Sequence, residues 1–134
     1  IRLLARVGIL IRFGQIFSSR IGHLAGNMEC YLCEKSAGMQ KGIDIFTHSG
    51  TISNKPLAKM IGRKILIDPT GFASILGVVN RAFEGWEKHT FETEQVDRDI
   101  HNLYEKYPSH LSFTKAEERK GQAGLRKLGI PEGA

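Results

Sequence analysis

Hydrophobic residues along this chain fall into short runs that polar loops separate. Three runs have the length and β-branched composition of buried strands, at residues 9–17, 42–47 and 64–67. Each is followed by hydrophobic residues at helical spacing, over residues 24–36, 53–62 and 72–86. Three strand-then-helix units with short connections predict a parallel sheet with right-handed crossovers, which is an α/β fold of the Rossmann-like type.

The segments around these units have weaker patterns. Residues 1–11 are apolar but interrupted by arginines, so they lack the continuous apolar centre of a signal peptide. We expect them to form a strand or the lead into the first strand, with an amphipathic segment at a membrane surface as the alternative. Residues 87–95 are polar and predict a loop, and residues 97–106 predict a short helix that ends before Pro108.

The carboxyl-terminal segment carries the clearest local signal. Thr114 and Glu117 have the spacing of a capping box, in which each side chain accepts a hydrogen bond from the backbone N–H of the other residue. A helix is therefore predicted to begin here, with Gly129 as its left-handed cap.

Length and composition fit one folded domain with an appended segment. The 134 residues are 41% hydrophobic and 25% charged, which is enough for a single sizeable core. We assign a Rossmann-like amino-terminal domain to residues 1–112, and a helix with a linker to residues 113–134. Pro131-Glu132-Gly133 would lead towards a further domain. No apolar run approaches the roughly 20 residues of a membrane span.

The charge balance bears on possible partners. Nineteen basic against 14 acidic side chains give a net charge of +5. This favours contact with phosphates on a nucleotide, a lipid carrier or a membrane surface, although an ordinary basic protein has the same balance. Lysines and arginines are scattered rather than gathered with aromatic residues, so no nucleic-acid partner is predicted.

Cys30 and Cys33 lie within the first predicted helix, where we expect both to be buried as small hydrophobic residues in a reducing compartment such as the cytoplasm. A zinc site needs four ligands, and the sequence has no second cysteine pair. His89, His101 and His110 share no helical ligand spacing. The sequence therefore predicts no metal site and no cofactor.

The most informative loop joins the first predicted strand to the first predicted helix. Ligands of open α/β sheets bind at the carboxyl ends of the strands, where helix N–H groups face anionic or hydroxylated groups. We expect Arg20 and Gly22 to contact such a ligand, His23 to donate a hydrogen bond or act as a base, and Asn27 to face the cleft. The alternative is structural: His23 satisfies backbone groups, and Arg20 pairs with a carboxylate.

A second polar loop follows the next predicted strand. Ser49, Gly50 and Thr51, together with His48, combine hydroxyl groups with an amide-rich turn that suits sugar or phosphate oxygens. An ordinary turn and helix cap would have the same composition. Neither loop has the Gly-x-Gly-x-x-Gly pattern of a dinucleotide site or the glycine-rich lysine motif of a nucleotide phosphate loop. The Gly-x-Ser-x-Gly turn of α/β-hydrolases is also absent.

Several of these residues also form a longer pattern. Residues 13–16 read FGQI and residues 19–27 read SRIGHLAGN, followed by Glu29, Tyr31 and Leu32. Later in the chain come LSFT at residues 111–114, then Glu117, Glu118, Gly121, Leu125 and LGIP at residues 128–131. This set resembles the amino-terminal part of a family of bacterial glycosyltransferases that act in surface-carbohydrate synthesis. In that family a motif similar to His-x-Arg-Asp follows shortly afterwards, whereas this sequence ends before it.

The resemblance implies an enzyme with two facing Rossmann-like domains. Its amino-terminal domain would hold a hydroxyl acceptor, on a glycan or a lipid carrier, and its carboxyl-terminal domain a nucleotide-sugar donor. This segment alone would be inactive, and peripheral contact with the inner face of the membrane would be compatible with such acceptors. His23 is the candidate for a role near the acceptor. The rival interpretation is a non-catalytic α/β domain that binds an anionic ligand at the same sheet edge.

Overall fold

Four parallel strands form one sheet in the computed structural model, which describes residues 1–92 and 98–130. The elements in chain order are α1 (Arg2–Arg6), β1 (Ile11–Ile16), α2 (Ile21–Ser36), β2 (Ile43–His48), α3 (Lys55–Gly62), β3 (Leu66–Ile67), α4 (Phe72–Asn80), a 3-10 turn (Trp86–His89), β4 (Thr90–Glu92) and α5 (Lys115–Lys127). The strand order is β3-β2-β1-β4, and every pairing is parallel. The predicted α/β fold of Rossmann-like type is confirmed.

The strand order reverses beside β1. Strands β2 and β3 follow one another on one side of β1, whereas β4 pairs with β1 on its other side. In open α/β sheets such a reversal opens a crevice at the carboxyl ends of the two diverging strands. Here the crevice lies between β1 and β4.

The main core lies on the face of the sheet that α2 covers. The rings of Tyr31, Phe46 and Phe91 meet edge-on, with centroids 5.1 to 5.7 Å apart. Gly14 lies beneath them on β1, where a Cβ atom would come within 2.8 Å of the Phe46 ring and 2.9 Å of the Phe91 carbonyl oxygen. The absence of a side chain at Gly14 therefore lets the strand approach these rings closely.

A buried polar network joins the amino ends of β1 and β2. Arg12 donates to both carboxylate oxygens of Asp44, at 2.6 and 2.9 Å, and the Tyr31 hydroxyl donates to the same carboxylate at 2.5 Å. Arg12 and Asp44 are also register partners across the two strands. The ion pair thus fixes the register, at the end of the sheet opposite the crevice. Burial and the neighbouring carboxylate raise the pKa of the Tyr31 hydroxyl, which stays protonated.

The other face of the sheet is covered by α4. Its Ala73 is buried and its Gly77 packs over Phe13, while five of its large apolar side chains are exposed, those of Phe72, Ile75, Leu76, Val78 and Val79. Because α4 lies over β1 and β2, the part of this face next to β4 is open.

Among the described residues, none of the helices has the length and apolar character that crossing a membrane requires.

Two predicted segments adopt a different structure. Residues 2–6 form α1 rather than a strand, because leucine, alanine and arginine are strong helix formers and Gly8, with φ of 86°, ends the turn. The described part of the predicted 97–106 helix forms turns instead. There the Asp99 carboxylate accepts the backbone N–H groups of Leu103 and Tyr104, and this local bonding competes with a helix.

The region after α4 also departs from prediction. The helix expected over residues 72–86 ends at Asn80, and Gly85, with φ of 73°, directs the chain into the 3-10 turn. The polar segment predicted as a loop contains β4, which is held in the sheet by the buried Phe91. The remainder of that segment, residues 93–95, and the predicted linker at residues 131–133 lie outside the described residues.

Candidate functional site

The two polar loops predicted to share one edge of the sheet are joined by hydrogen bonds. The backbone N–H and the hydroxyl of Ser49 both donate to the Ile16 carbonyl oxygen at 2.9 Å. The Ser18 hydroxyl, fully buried, donates to the Ser49 carbonyl oxygen at 2.9 Å, and Ser53 N–H donates to the Ser18 carbonyl oxygen at the same distance. These hydrogen bonds therefore join the loops after β1 and β2 into one continuous surface at the carboxyl edge.

Helix α2 points its amino end at this surface. Arg20 is its N-cap residue, in an extended conformation, and its side chain makes no capping hydrogen bond. The first-turn residues Ile21 and Gly22 are exposed. The N–H groups of this turn have no partners within the helix, so the end of a 16-residue helix presents donors and a partial positive charge at the edge.

The Phe17 ring lies next to two of the predicted binding residues of the first loop, His23 and Arg20. Its ring centroid lies 5.1 Å from that of His23, and the Arg20 guanidinium carbon lies 5.8 Å from the ring centre. Within residues 1–92 and 98–130, Arg20 makes no ion pair, so the structural role considered for it, pairing with a carboxylate, is not seen there. Its charge is available to a ligand at the edge.

A cleft of about 390 Å³ opens at the crevice between β1 and β4. Strand β1 forms its floor, α4 one wall and β4 the other. Gln15 on the floor donates to the Ser74 hydroxyl on α4 at 3.3 Å. The lining residues are Phe13, Gly14, Gln15, Phe17, Ser49, Ala73, Ser74, Gly77, Val78, Arg81, Thr90, Phe91 and Glu92.

The cleft combines apolar surface with a few polar groups of different chemistry. Arg81 supplies a cation and lies 5.4 Å from the centre of the Trp86 ring, while Glu92 supplies a carboxylate at the carboxyl end of β4. Ser49 and Ser74 add hydroxyl groups. This mixture suits a ligand that carries hydroxyl groups and at least one anionic group.

The predicted site residues are distributed unevenly around this cleft. Ser49 lines it directly, and Arg20 and His23 adjoin it through Phe17. The remaining predicted residues of the two loops, Gly22, Gly50 and Thr51, are exposed at the same edge. Asn27 is only 5% exposed within α2 and does not line the cleft, so the expectation that it faces the ligand does not fit this structure.

Two residues at the end of β2 each have a buried polar side-chain atom. Within the described part of the chain, His48 Nδ1 and the Thr47 hydroxyl are buried without hydrogen-bond partners. Burial lowers the pKa of His48, which is therefore neutral at pH 7. Unpaired buried polar atoms are costly and are often found where a ligand or water completes the bonding.

Sequence reasoning missed Gln15, Ser74, Arg81 and Glu92. No short motif contains them, since the four come from β1, α4, the turn after α4 and β4. The alternating strand pattern would have assigned Gln15 to the face opposite Gly14. The position of Ser74 depends on how α4 packs against β1, that of Arg81 on where α4 ends, and that of Glu92 on the existence of β4.

Comparisons of the chain with protein-family models, with curated proteins and with solved structures gave no match.

Proposed function

We propose that this chain is the acceptor-side domain of a glycosyltransferase that moves a sugar from a nucleotide-sugar to a hydroxyl acceptor in glycan synthesis. The observation that carries the proposal is the cleft at the β1–β4 crevice, which Arg81, Glu92 and serine hydroxyls line. Phe17, which also lines the cleft, lies next to His23 and Arg20 at the start of α2. Carbohydrate acceptors need such hydrogen-bonding groups next to apolar surface. The sequence resemblance supports the same class of reaction.

The transfer reaction needs two kinds of group at the cleft mouth, a base and a positive charge. In the transfer, a new bond forms between the acceptor oxygen and the anomeric carbon as the bond from that carbon to the donor phosphate breaks. A base takes the proton of the acceptor hydroxyl, and His23 or the Glu92 carboxylate has the chemistry for this step. Arg20 and the α2 N–H groups would stabilise the departing phosphate, since they carry positive charge at the same edge.

A second candidate function is binding without catalysis. It is favoured by Arg20, which makes no ion pair with the described residues and lies at a helix amino end, an arrangement sufficient to hold an anion. A binding domain needs this cation and the cleft, but it does not need a base. Removal of a base therefore separates the two functions.

The test is sugar transfer by the complete gene product that contains this chain, over a panel of nucleotide-sugars and acceptors. We expect His23→Ala or Glu92→Gln to lower kcat by about 100-fold to 10,000-fold, as loss of a general base does. Arg20→Ala should weaken binding of the phosphate-bearing substrate. His101→Ala and Arg126→Ala, which change exposed residues away from the edge, serve as matched controls.

Two outcomes would decide against the transferase. Full turnover in all three site variants would remove the edge from the reaction. Absence of turnover with every donor, together with anion binding that Arg20→Ala abolishes, would establish the binding domain instead.

A further inference from the structure

Three side chains of metal-binding type meet at a surface of α2 that the proposed transfer reaction does not use. Glu29 and Cys33 lie four residues apart and so share one face of the helix. His110 reaches the same point from the segment that precedes α5. His110 Nδ1 lies 3.0 Å from Glu29 Oε1 and 3.7 Å from Cys33 Sγ, and the sulfur and the carboxylate oxygen are 4.0 Å apart.

These separations are close to those around a tetrahedral zinc ion. Zinc bonds of about 2.3 Å to sulfur and about 2.0 Å to nitrogen or oxygen, at tetrahedral angles, hold neighbouring ligand atoms about 3.3 to 3.5 Å apart. The three observed distances, 3.0, 3.7 and 4.0 Å, lie within about 0.5 Å of these values, so a small movement of the side chains would bring them to the ion. Thiolate, imidazole and carboxylate are also the ligands that zinc takes in proteins.

Surrounding groups hold the ligands in place. His110 Nε2 lies 2.8 Å from the Ser36 hydroxyl, so that nitrogen has a partner while Nδ1 faces the cluster. The Glu29 carboxylate accepts the backbone N–H groups of His110 and Leu111, at 2.7 and 3.1 Å. Metal-binding histidines and carboxylates are usually oriented by hydrogen bonds of this kind.

Exposure and charge also suit a divalent cation. Cys33 is only 1% exposed, whereas the side chains of Glu29 and His110 are 18% and 19% exposed, so an ion and one water molecule have access from solvent. Thiolate and carboxylate together would neutralise the two positive charges.

We propose that Glu29, Cys33 and His110 bind Zn²⁺, with water as the fourth ligand, and that the ion ties the segment before α5 to α2. The competing explanation is a hydrogen-bonded contact that needs no metal. In that case His110 Nδ1–H donates to Glu29, and the Ser36 hydroxyl donates to Nε2. The two explanations differ in whether the thiol becomes a ligand.

Titration of the reduced, tag-free chain with Co²⁺ tests this proposal, because tetrahedral cobalt bound to a thiolate has a near-ultraviolet charge-transfer band and intense visible bands. We expect both bands in the wild type, with one ion per chain, and their loss on addition of Zn²⁺. Cys33→Ser should remove the charge-transfer band, and His110→Gln should weaken binding at least about tenfold. Circular dichroism identifies any variant that fails to fold.

Cys30 is the matched control. It is 1% exposed on the same helix, but its sulfur lies 3.6 Å from the Arg98 carbonyl oxygen, outside the cluster. Cys30→Ser should retain both cobalt bands. Folded wild type without a charge-transfer band, or a band that survives Cys33→Ser, would overturn the site, as would equal loss in both cysteine variants.

Discussion

Single positions in this protein can be judged by what surrounds them. Gly14 and Gly26 are both glycines within regular elements, β1 and α2, yet their surroundings are opposite. A Cβ at Gly14 would meet the Phe46 ring and the Phe91 backbone, whereas a Cβ at Gly26 would meet no atom within 4 Å. The same substitution at the two positions therefore separates steric need from glycine's general effect on a chain.

We expect Gly14→Ala to lower the free energy of unfolding by about 1 to 3 kcal/mol, because a methyl group forced into a packed core shifts its neighbours. Gly26→Ala should leave stability unchanged or raise it by up to about 1 kcal/mol, since alanine favours a helix. Urea unfolding of both variants measures the difference. If Gly14→Ala were as stable as the wild type, that result would contradict the close packing of Gly14 against the Phe46 ring and the Phe91 backbone.

Residue chemistry also explains why the cluster at Glu29 was not foreseen. The sequence gives no reason to pair His110 with Glu29, because His110 shares no helical ligand spacing with the other histidines. In the structure they meet across 81 positions, when the segment before α5 folds back onto α2. Contacts of this range depend on the path of an irregular segment. The buried state of Cys30 and Cys33, by contrast, followed from their helical position and is confirmed.

Among the elements, α5 depends most on local interactions, since none of its residues is buried. The predicted capping box is present: Thr114 accepts from Glu117 N–H, and Glu117 accepts from Thr114 N–H at 2.8 Å. Glu117 also pairs with Arg63, at 3.0 Å, at the end of α3. One carboxylate thus both caps α5 and attaches it to the domain.

This arrangement makes α5 sensitive to acid. The hydrogen bond from the Thr114 backbone and the Arg63 charge lower the pKa of Glu117 from 4.5 to about 2. A carboxylate with a depressed pKa stabilises the folded state above its unfolded pKa and loses that effect as the pH falls through its folded value. We therefore expect α5 to lose helicity between pH 4.5 and about 2, as measured by the Cα chemical shifts of residues 115–127. Glu117→Gln should have a flat profile over this range, and an equally flat wild-type profile would contradict the role given to the carboxylate.

How far an element could be predicted depended on how much of its signal was local. Helix α5 was predictable from Thr114 and Glu117, and α3 from its hydrophobic spacing over residues 53–62. The cap of α3 is Asn54, which accepts the Leu57 N–H. Strand β4 was not, because it has three residues and only Phe91 is buried. Its position in the sheet comes from tertiary packing against β1 and the core rings, which no short sequence window contains.

At the scale of the whole molecule, the alternation of strands and helices was enough to bring two loops to one edge. It was not enough to locate the cleft, because the cleft exists only where β4 returns beside β1. This explains why Arg20 and His23 were found at its rim while Arg81 and Glu92 were missed. The cleft lies at a reversal of strand order, so its position follows from the order of the strands. That order depends on β4, which was the strand least predictable from the sequence.

The edge that carries Arg20, Ser49 and Glu92 is proposed to bind a hydroxylated, anionic ligand. The most direct measurement is titration of the isotope-labelled chain with glucose 1-phosphate, followed by amide chemical shifts. We expect saturable shifts at Phe17, Ser49 and Glu92, no shifts along residues 115–127, and loss of the saturable shifts in Arg20→Ala. Absence of saturable shifts at the edge, or saturable shifts confined to another surface, would contradict it.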